Sequence, residues 1–221
     1  MKSVDRRYRV LGIAFLLQFV TSFSSGVFLR EAWLVPGDMD HTLRNLASNP
    51  ALMQANILLD MLTALGVIFL GAMLFVTLKK TSERIALVAL GFYILEAALL
   101  ATSRSEAFSL LHISQDYVTA ADPAYLQTMA NLALESMNFV GDTLHMLAFC
   151  LGAILFYYLL YRSVVVPRWL SLWGLITMFP LLVGTLSAVF GYDLPFAIYL
   201  PYVPYEFVIG LWILIKGTRE G

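Results

Sequence analysis

Residues 57–78 read ILLDMLTALGVIFLGAMLFVTL, and Asp60 is the single charged residue in this run. A helix needs about 20 consecutive apolar residues to cross the hydrocarbon core of a bilayer. The run meets this length, and Lys79 and Lys80 follow it directly. It therefore predicts a transmembrane helix that ends at a basic loop in water.

Other apolar runs of similar length occur along the chain. The predicted spans are residues 10–29, 57–78, 85–102, 139–161, 169–190 and 196–215. The chain has 221 residues, of which 60% are hydrophobic and 13% are charged. Soluble domains are nearer half apolar and a quarter charged, so part of this surface must be solvated by lipid. The composition predicts an all-α integral membrane bundle of about six transmembrane helices, in a single domain over residues 1–221.

The first predicted span has features of a secretory signal peptide. Basic residues precede it, and residues 21–26 (TSFSSG) have the small side chains of a cleavage region. The apolar run nevertheless continues through Leu29, which makes it long enough to cross the membrane. We therefore expect a retained first helix.

The positive charges indicate the orientation. Most of the 14 lysines and arginines fall in loops on one side of the predicted spans, whereas Arg30, Arg44 and Arg104 fall on the other. Short cytoplasmic loops carry an excess of Lys and Arg. Both termini are then cytoplasmic, which requires an even number of spans.

Two outer segments are expected to be ordered. The first begins with the turn at residues 35–38 (VPGD), after which Asp38 or Asp40 can cap a short helix that runs to about Ser48.

The second outer segment contains Asp122-Pro123, a strong helix start, and no helix breaker follows until Pro167. The third and fourth helices are therefore expected to be long and to project beyond the bilayer on the outer side.

Several short motifs occur in an order that is typical of one family. They are Val35-Pro36-Gly37-Asp38, Asp60, Glu96, Tyr161-Arg162-Ser163, Val166-Pro167-Arg168-Trp169-Leu170, Glu206 and the ending Leu211-Trp212-Ile213-Leu214-Ile215-Lys216-Gly217. Over nearly its whole length the chain resembles the bacterial multi-pass membrane family known as domain of unknown function 4386. This resemblance implies a six-helix protein of the bacterial inner membrane, and it implies no particular activity.

Ionisable residues at membrane depth are the candidates for function. They are Asp60, Glu96, Asp142, His145 and Glu206. Charged groups are costly at this depth and usually face a cavity or a partner. The predicted topology places all of them in the outer half of the bundle, and a cavity open to the outside is the simplest arrangement that accommodates them.

These residues allow more than one chemistry. The predicted metal ligands are Asp142, His145, Glu96 and Glu206. Asp142 and His145 are three residues apart and share a helix face. Such a set could bind zinc or another divalent cation, or could act as a general acid and base or a proton relay.

A purely structural alternative stays open. Glu96 would then pair with Arg104 or Arg30, since a buried carboxylate needs a cation or several donors. Asp142 would only orient the ring of His145.

The sixth predicted span carries a further signal. Pro195, Pro201 and Pro204 interrupt it, and irregular backbone at membrane depth is tolerated where it is buried in protein or lines water. Neighbouring polar side chains are then candidates for ligand contact. The predicted ligand-binding residues are Glu96, Asp142, His145, Tyr202, Tyr205, Glu206, Asp60 and Arg104.

The leading interpretation is a multi-pass inner-membrane protein that binds a small or lipid-like ligand in an outward-facing polar pocket. One alternative is a metal-dependent or acid/base intramembrane hydrolase, and another is a small proton-coupled transporter. The cofactor is unknown, and whether the protein is an enzyme stays open. Membrane lipid and a small hydrophobic ligand are the expected partners, an oligomer is allowed, and the net charge of -1 argues against nucleic acid.

Overall fold

The computed structural model of the chain describes residues 6–121, 123–163, 165–192 and 194–217. Within these ranges every regular element is a helix, which confirms the all-α class. Asp122, expected to cap a helix at Pro123, lies outside the described residues, and that helix begins at Ala124.

The helices are defined by the following bounds. The α-helices are α1 (Arg6–Phe23), α2 (Arg30–Trp33), α3 (Met39–Ser48), α4 (Pro50–Leu78), α5 (Glu83–Tyr117), α6 (Ala124–Asn138), α7 (His145–Ser163), α8 (Arg168–Val189) and α9 (Val203–Lys216). The first π segment (Ser24–Leu29) joins α1 to α2, and the second π segment (Phe139–Leu144) joins α6 to α7. Each joined set therefore runs as one continuous rod.

Five helical rods in the described residues are long and apolar enough to cross a membrane. They are Tyr8–Trp33, Pro50–Leu78, Glu83–Tyr117, Ala124–Ser163 and Arg168–Val189. The third and fourth are the longest, with 35 and 40 residues. These rods correspond to the first five predicted spans.

The sixth predicted span, residues 196–215, is wrong at its beginning. Phe196–Ile198 forms a single 3-10 turn, and α9 starts only at Val203 and has 14 residues. The prolines explain the shift, because Pro204 stands in the first turn of α9, where a missing N–H costs little. Pro201 precedes the helix, so these prolines do not interrupt it as expected.

The long helices form a closed bundle in chain order. α1 packs on α4, α4 on α5, α5 on α7, α7 on α8, and α9 returns to α1. The centre is aromatic, with Tyr93, Tyr157 and Tyr205 at most 2% exposed. On the outside, Leu65 and Phe179 are 61% and 72% exposed, as expected where lipid rather than water covers the surface.

A second apolar core lies at one end of the bundle. It is built by α3, α5, α6 and the end of α2, with Trp33, Leu43 and Leu46 fully buried. The expected short helix is confirmed as α3, because it begins after Asp38, whose carboxylate accepts the backbone N–H of His41 at 2.9 Å, and it ends at Ser48.

Two half-buried carboxylates help to hold this end of the molecule together. The backbone hydrogen bond from His41 keeps the pKa of Asp38 below its ordinary value of 3.8. Hydrogen bonds from Arg44 and then Tyr117 lower the pKa of Asp40. The Tyr117 hydroxyl donates to Asp40 at 2.6 Å, which joins α3 to the end of α5.

Candidate functional site

A polar cavity lies between the two apolar cores. Its volume is about 270 Å³, and α1, both π segments, α4, α5, α7 and α9 contribute to its lining. Trp33 and Met137 of the second core face it, as do Leu100 and Phe149 of the first. This volume approaches the ~300 Å³ of the smaller ligand pockets in proteins.

Most of the predicted ligand-binding residues meet in this cavity. Those that line it are Asp60, Glu96, Arg104, Asp142, His145, Tyr202 and Glu206. They come from four separate stretches of the chain, so the fold brings them together. That they bind a ligand stays a prediction.

Tyr205 is the exception and does not line the cavity. It is fully buried, and its ring lies 4.9 Å from that of Tyr157 and 5.7 Å from that of Trp173. Tyr205 therefore belongs to the aromatic core between α7, α8 and α9.

Asp60 and Arg104 form a buried ion pair across α4 and α5. Arg104 Nη1 lies 2.5 Å from Asp60 Oδ2, and both residues are 8% exposed. Ser25 Oγ donates to the other oxygen of Asp60, and Asn56 Nδ2 lies 3.3 Å from Oδ2. A buried ion pair is tolerated when such extra hydrogen bonds satisfy its remaining polar atoms.

The close approach of Arg104 to the second π segment requires a glycine. A Cβ atom at Gly141 would lie 2.7 Å from Arg104 Nη2 and 2.5 Å from Ser103 Oγ. Ser103 in turn accepts hydrogen bonds from Arg104 Nε and Nη2. Gly141 thus leaves the space that the guanidinium group occupies.

A second ion pair links the two π segments. Arg30, directly after the first segment, lies 2.7 Å from Asp142 in the second and donates to Asn138 at 2.8 Å. The side chains of Arg30 and Asp142 are 25% and 50% exposed, so this pair lies at the open side of the cavity. π segments within α-helices are frequent at functional sites.

We call the residues of the two ion pairs the paired group: Asp60, Arg104, Arg30 and Asp142. Their pairing differs from the structural alternative considered from the sequence, in which Arg104 or Arg30 neutralises Glu96. Both arginines instead form ion pairs with aspartates. Asp142 accepts a hydrogen bond from Arg30. Among the described residues no hydrogen bond joins His145 to Asp142, and His145 Nδ1 is buried without a partner.

Glu96 and Glu206 are called the unpaired group, because neither forms an ion pair with any described residue. Glu96 is 5% exposed, lines the cavity, and its Oε2 atom has no hydrogen-bond partner. A buried carboxylate oxygen without a donor costs free energy that a bound ligand could recover.

A tyrosine hydrogen bond and the positive end of its own helix stabilise the carboxylate of Glu206. The Tyr202 hydroxyl donates to Glu206 Oε1 at 2.6 Å, and the Tyr157 hydroxyl lies 3.1 Å from that of Tyr202. Glu206 was expected near the middle of its helix but lies in the first turn of α9. A carboxylate is stabilised there by the positive end of the helix dipole.

The predicted metal ligands are not arranged as a preformed metal site. Among the described residues, three metal-ligating side chains come within 4.8 Å of one another at Asp38, Asp40 and His41 only. In that cluster the carboxylate of Asp38 caps α3 and the carboxylate of Asp40 pairs with Arg44, so neither needs a metal ion. Metal binding by Asp142, His145, Glu96 and Glu206 stays a prediction.

Three residues of the site were not predicted from the sequence. Ser25 and Trp33 line the cavity, and Asn138 accepts a hydrogen bond from Arg30 beside it. The available signal was the small polar run 24–26 inside an apolar helix, which we interpreted only as a resemblance to a cleavage region.

Five long apolar rods enclosing ionisable side chains define a multi-pass helical membrane protein. More specifically, the chain belongs to the family described as Domain of unknown function (DUF4386), whose model matches residues 10–217. This confirms the resemblance drawn from the order of the motifs. No curated protein and no solved structure shows significant similarity to the chain.

Proposed function

We propose that this protein binds a small or lipid-like ligand in the polar cavity, from the outer side of a bacterial inner membrane. The observation that carries the proposal is Glu96. Its carboxylate is almost fully buried, one oxygen has no partner, and it faces a cavity large enough for a small molecule. A ligand that hydrogen-bonds to this carboxylate would remove the cost of its burial.

The proposed topology supports access from outside. We take α9 with the irregular segment before it as a sixth, shorter crossing, which places both termini on one side. The Lys79–Lys80 loop and Arg162 then lie on the cytoplasmic side, as the distribution of basic residues requires. The long third and fourth rods project outward, and the cavity lies near α3, on the outer side.

The test is native mass spectrometry of detergent-purified protein with a variant that fills the cavity. Gly26 lines the cavity and has nothing within 4 Å of a Cβ atom, so Gly26→Trp can occupy the space without a backbone clash. Gly91 also has open space around its Cβ position but lies outside the cavity lining, and Gly91→Trp is the matched control.

A bound molecule should be retained by the wild-type protein and by Gly91→Trp, and it should be lost from Gly26→Trp. Equal retention in all three proteins, or retention in none, would contradict the proposal.

Proton-coupled transport is the second candidate, and one observation favours it. The hydroxyls of Tyr202 and Tyr157 form a hydrogen-bonded chain that leads from Glu206 into the bundle. Such a chain can pass a proton towards the Glu206 carboxylate, and away from the protonated carboxyl group once the hydroxyls reorient. No comparable feature favours the hydrolase, because Asp142 is bound to Arg30 rather than to His145.

Transport is tested in proteoliposomes that contain a pH-sensitive dye. Flux that is abolished by Glu206→Gln, and unaffected by the exposed control Glu135→Gln, would favour the transporter over a binding protein. Flux equal to that of empty liposomes would leave ligand binding as the function.

A further inference from the structure

The acidic and basic side chains of the cavity lining do not pair one to one. Arg30 and Arg104 supply the positive charges in the lining, and each is bound to an aspartate. Glu96 and Glu206 face the same cavity with no cation among the described residues. The cavity therefore has an excess of carboxylate, and a cation is the complementary ligand.

The surroundings of the carboxylates are aromatic. Phe149 and Tyr202 line the cavity together with the two glutamates, and their rings meet edge to face at 5.4 Å. Aromatic faces attract ammonium groups, and sites that recognise organic ammonium ions use them for this purpose. Divalent metal ions instead require several oxygen, nitrogen or sulfur ligands.

On this basis, and resting on the proposed function, we propose that the ligand carries an ammonium group that binds between Glu96, Glu206 and the rings of Phe149 and Tyr202. The apolar part of the ligand lies against Leu100 and Met146, which also line the cavity. Glu96 lines the cavity, and its carboxylate accepts an ammonium N–H there. Glu206 already accepts one hydrogen bond from Tyr202 and offers its second oxygen.

The ammonium group could belong to a free amine or to the headgroup of an aminophospholipid. Both sources present the same hydrogen-bond donors to the carboxylates. The experiment separates them by adding each kind of lipid to protein in a detergent that carries no ammonium group.

The experiment is isothermal titration calorimetry of the full chain in dodecyl maltoside. The three probes are 2-phenylethylamine, 2-phenylethanol and phenylacetate, which share a ring and differ in charge. We expect saturable binding of the amine, with the alcohol weaker by roughly tenfold or more and no binding of the carboxylate.

Variants identify the site. Glu96→Gln keeps the size of the side chain, removes its charge and should weaken amine binding roughly tenfold or more, and Phe149→Leu should weaken it by a smaller factor. Glu135→Gln, exposed on α6 and outside the cavity lining, should leave binding unchanged. Elution volume and melting temperature show that each variant is folded.

Lipid competition then identifies the source. A loss of apparent amine affinity on adding phosphatidylethanolamine, but not phosphatidylglycerol, would assign the site to the headgroup. Amine binding that is indifferent to both lipids would assign it to a free amine. Either result supports an ammonium site.

Other outcomes overturn the inference. If the alcohol binds as well as the amine and Gly26→Trp abolishes this binding, the cavity is a ligand site but does not select ammonium. If Zn²⁺ alone binds and the amine does not, the carboxylates form a metal site. If no probe binds and no co-purified molecule is found, both the inference and the proposed function fail.

Discussion

The paired group and the unpaired group face the same cavity but are stabilised in opposite ways. Asp60 has Arg104, Ser25 and Asn56 around its carboxylate, so its burial is compensated within the protein. Glu96 is buried as deeply and has one oxygen without any donor. The difference separates carboxylates that hold the helices together from carboxylates that the protein leaves without a cation, and our proposal places the ligand at the second kind.

The largest expected effect comes from breaking the buried pair. Arg104→Met should destabilise the protein by about 3–5 kcal/mol, because Asp60 is left buried without its cation. The measurement is reversible unfolding in mixtures of dodecyl maltoside and sodium dodecyl sulfate. The double variant Asp60→Leu/Arg104→Met should recover most of the loss, and a double variant as unstable as the single one would show that the charge is not the cause.

The unpaired group should respond in the opposite direction. Glu96→Met keeps the length of the side chain and should stabilise the ligand-free protein by about 1–3 kcal/mol, since it removes a buried polar atom that has no partner. The same unfolding assay measures this change. Destabilisation by Glu96→Met would mean that Glu96 belongs with the structural carboxylates.

A smaller effect is expected at the half-exposed pair. Arg30→Gln should cost no more than about 1 kcal/mol, because water screens the Arg30–Asp142 interaction and the amide can still donate to Asn138. Comparing the stability losses of Arg30→Gln and Arg104→Met in one assay shows how much burial of an ion pair adds to the cost of breaking it. Equal losses for the two variants would contradict the distinction between them.

The smallest effect lies outside the cavity, at the cap of α3. The pKa of Asp38 in the folded protein is below its ordinary value of 3.8, so its stabilising contribution is complete above that pH and is lost as the pH falls through the lowered value. Asn can also cap a helix but does not titrate in this range.

Wild-type protein and Asp38→Asn should therefore differ in the stability of α3 only at acidic pH. Amide exchange in α3, corrected for the intrinsic effect of pH, should become faster below the ordinary pKa in the wild type and much less so in Asp38→Asn. An identical acid response in both proteins would show that another group is responsible.

Sequence alone predicted the apolar rods well, because hydropathy is a local property. The start of α9 was missed, since residues 196–202 are apolar enough for a span and only the backbone shows that Pro201 and Pro204 keep the helix from beginning earlier. The cap of α3 was found because the Asp38 signal is also local.

Most of the predicted residues do line the cavity, but the sequence did not predict which arginine pairs with which carboxylate. Depth along each helix placed Glu96, Asp142, His145 and Glu206 in the outer half of the bundle, and they do line one cavity. Which arginine meets which carboxylate depends on how the helices rotate about their axes, and the sequence does not record this. The rotation of Tyr205 into the core, next to Tyr202 on the cavity, has the same cause.

The two π segments make the cavity tolerant of a change in the number of residues at two places. With its i→i+5 hydrogen bonds, a π segment fits one extra residue into a length of helix that regular α-helix would fill without it. Deleting Gly26 or Gly141 would therefore let the segment become α-helix while the residues on its two sides keep nearly the same faces, and Arg30 would still face Asp142. A deletion in the regular part of α4 or α5 would instead rotate every residue beyond it by about 100°. A relative could lack one residue of either π segment and keep this cavity.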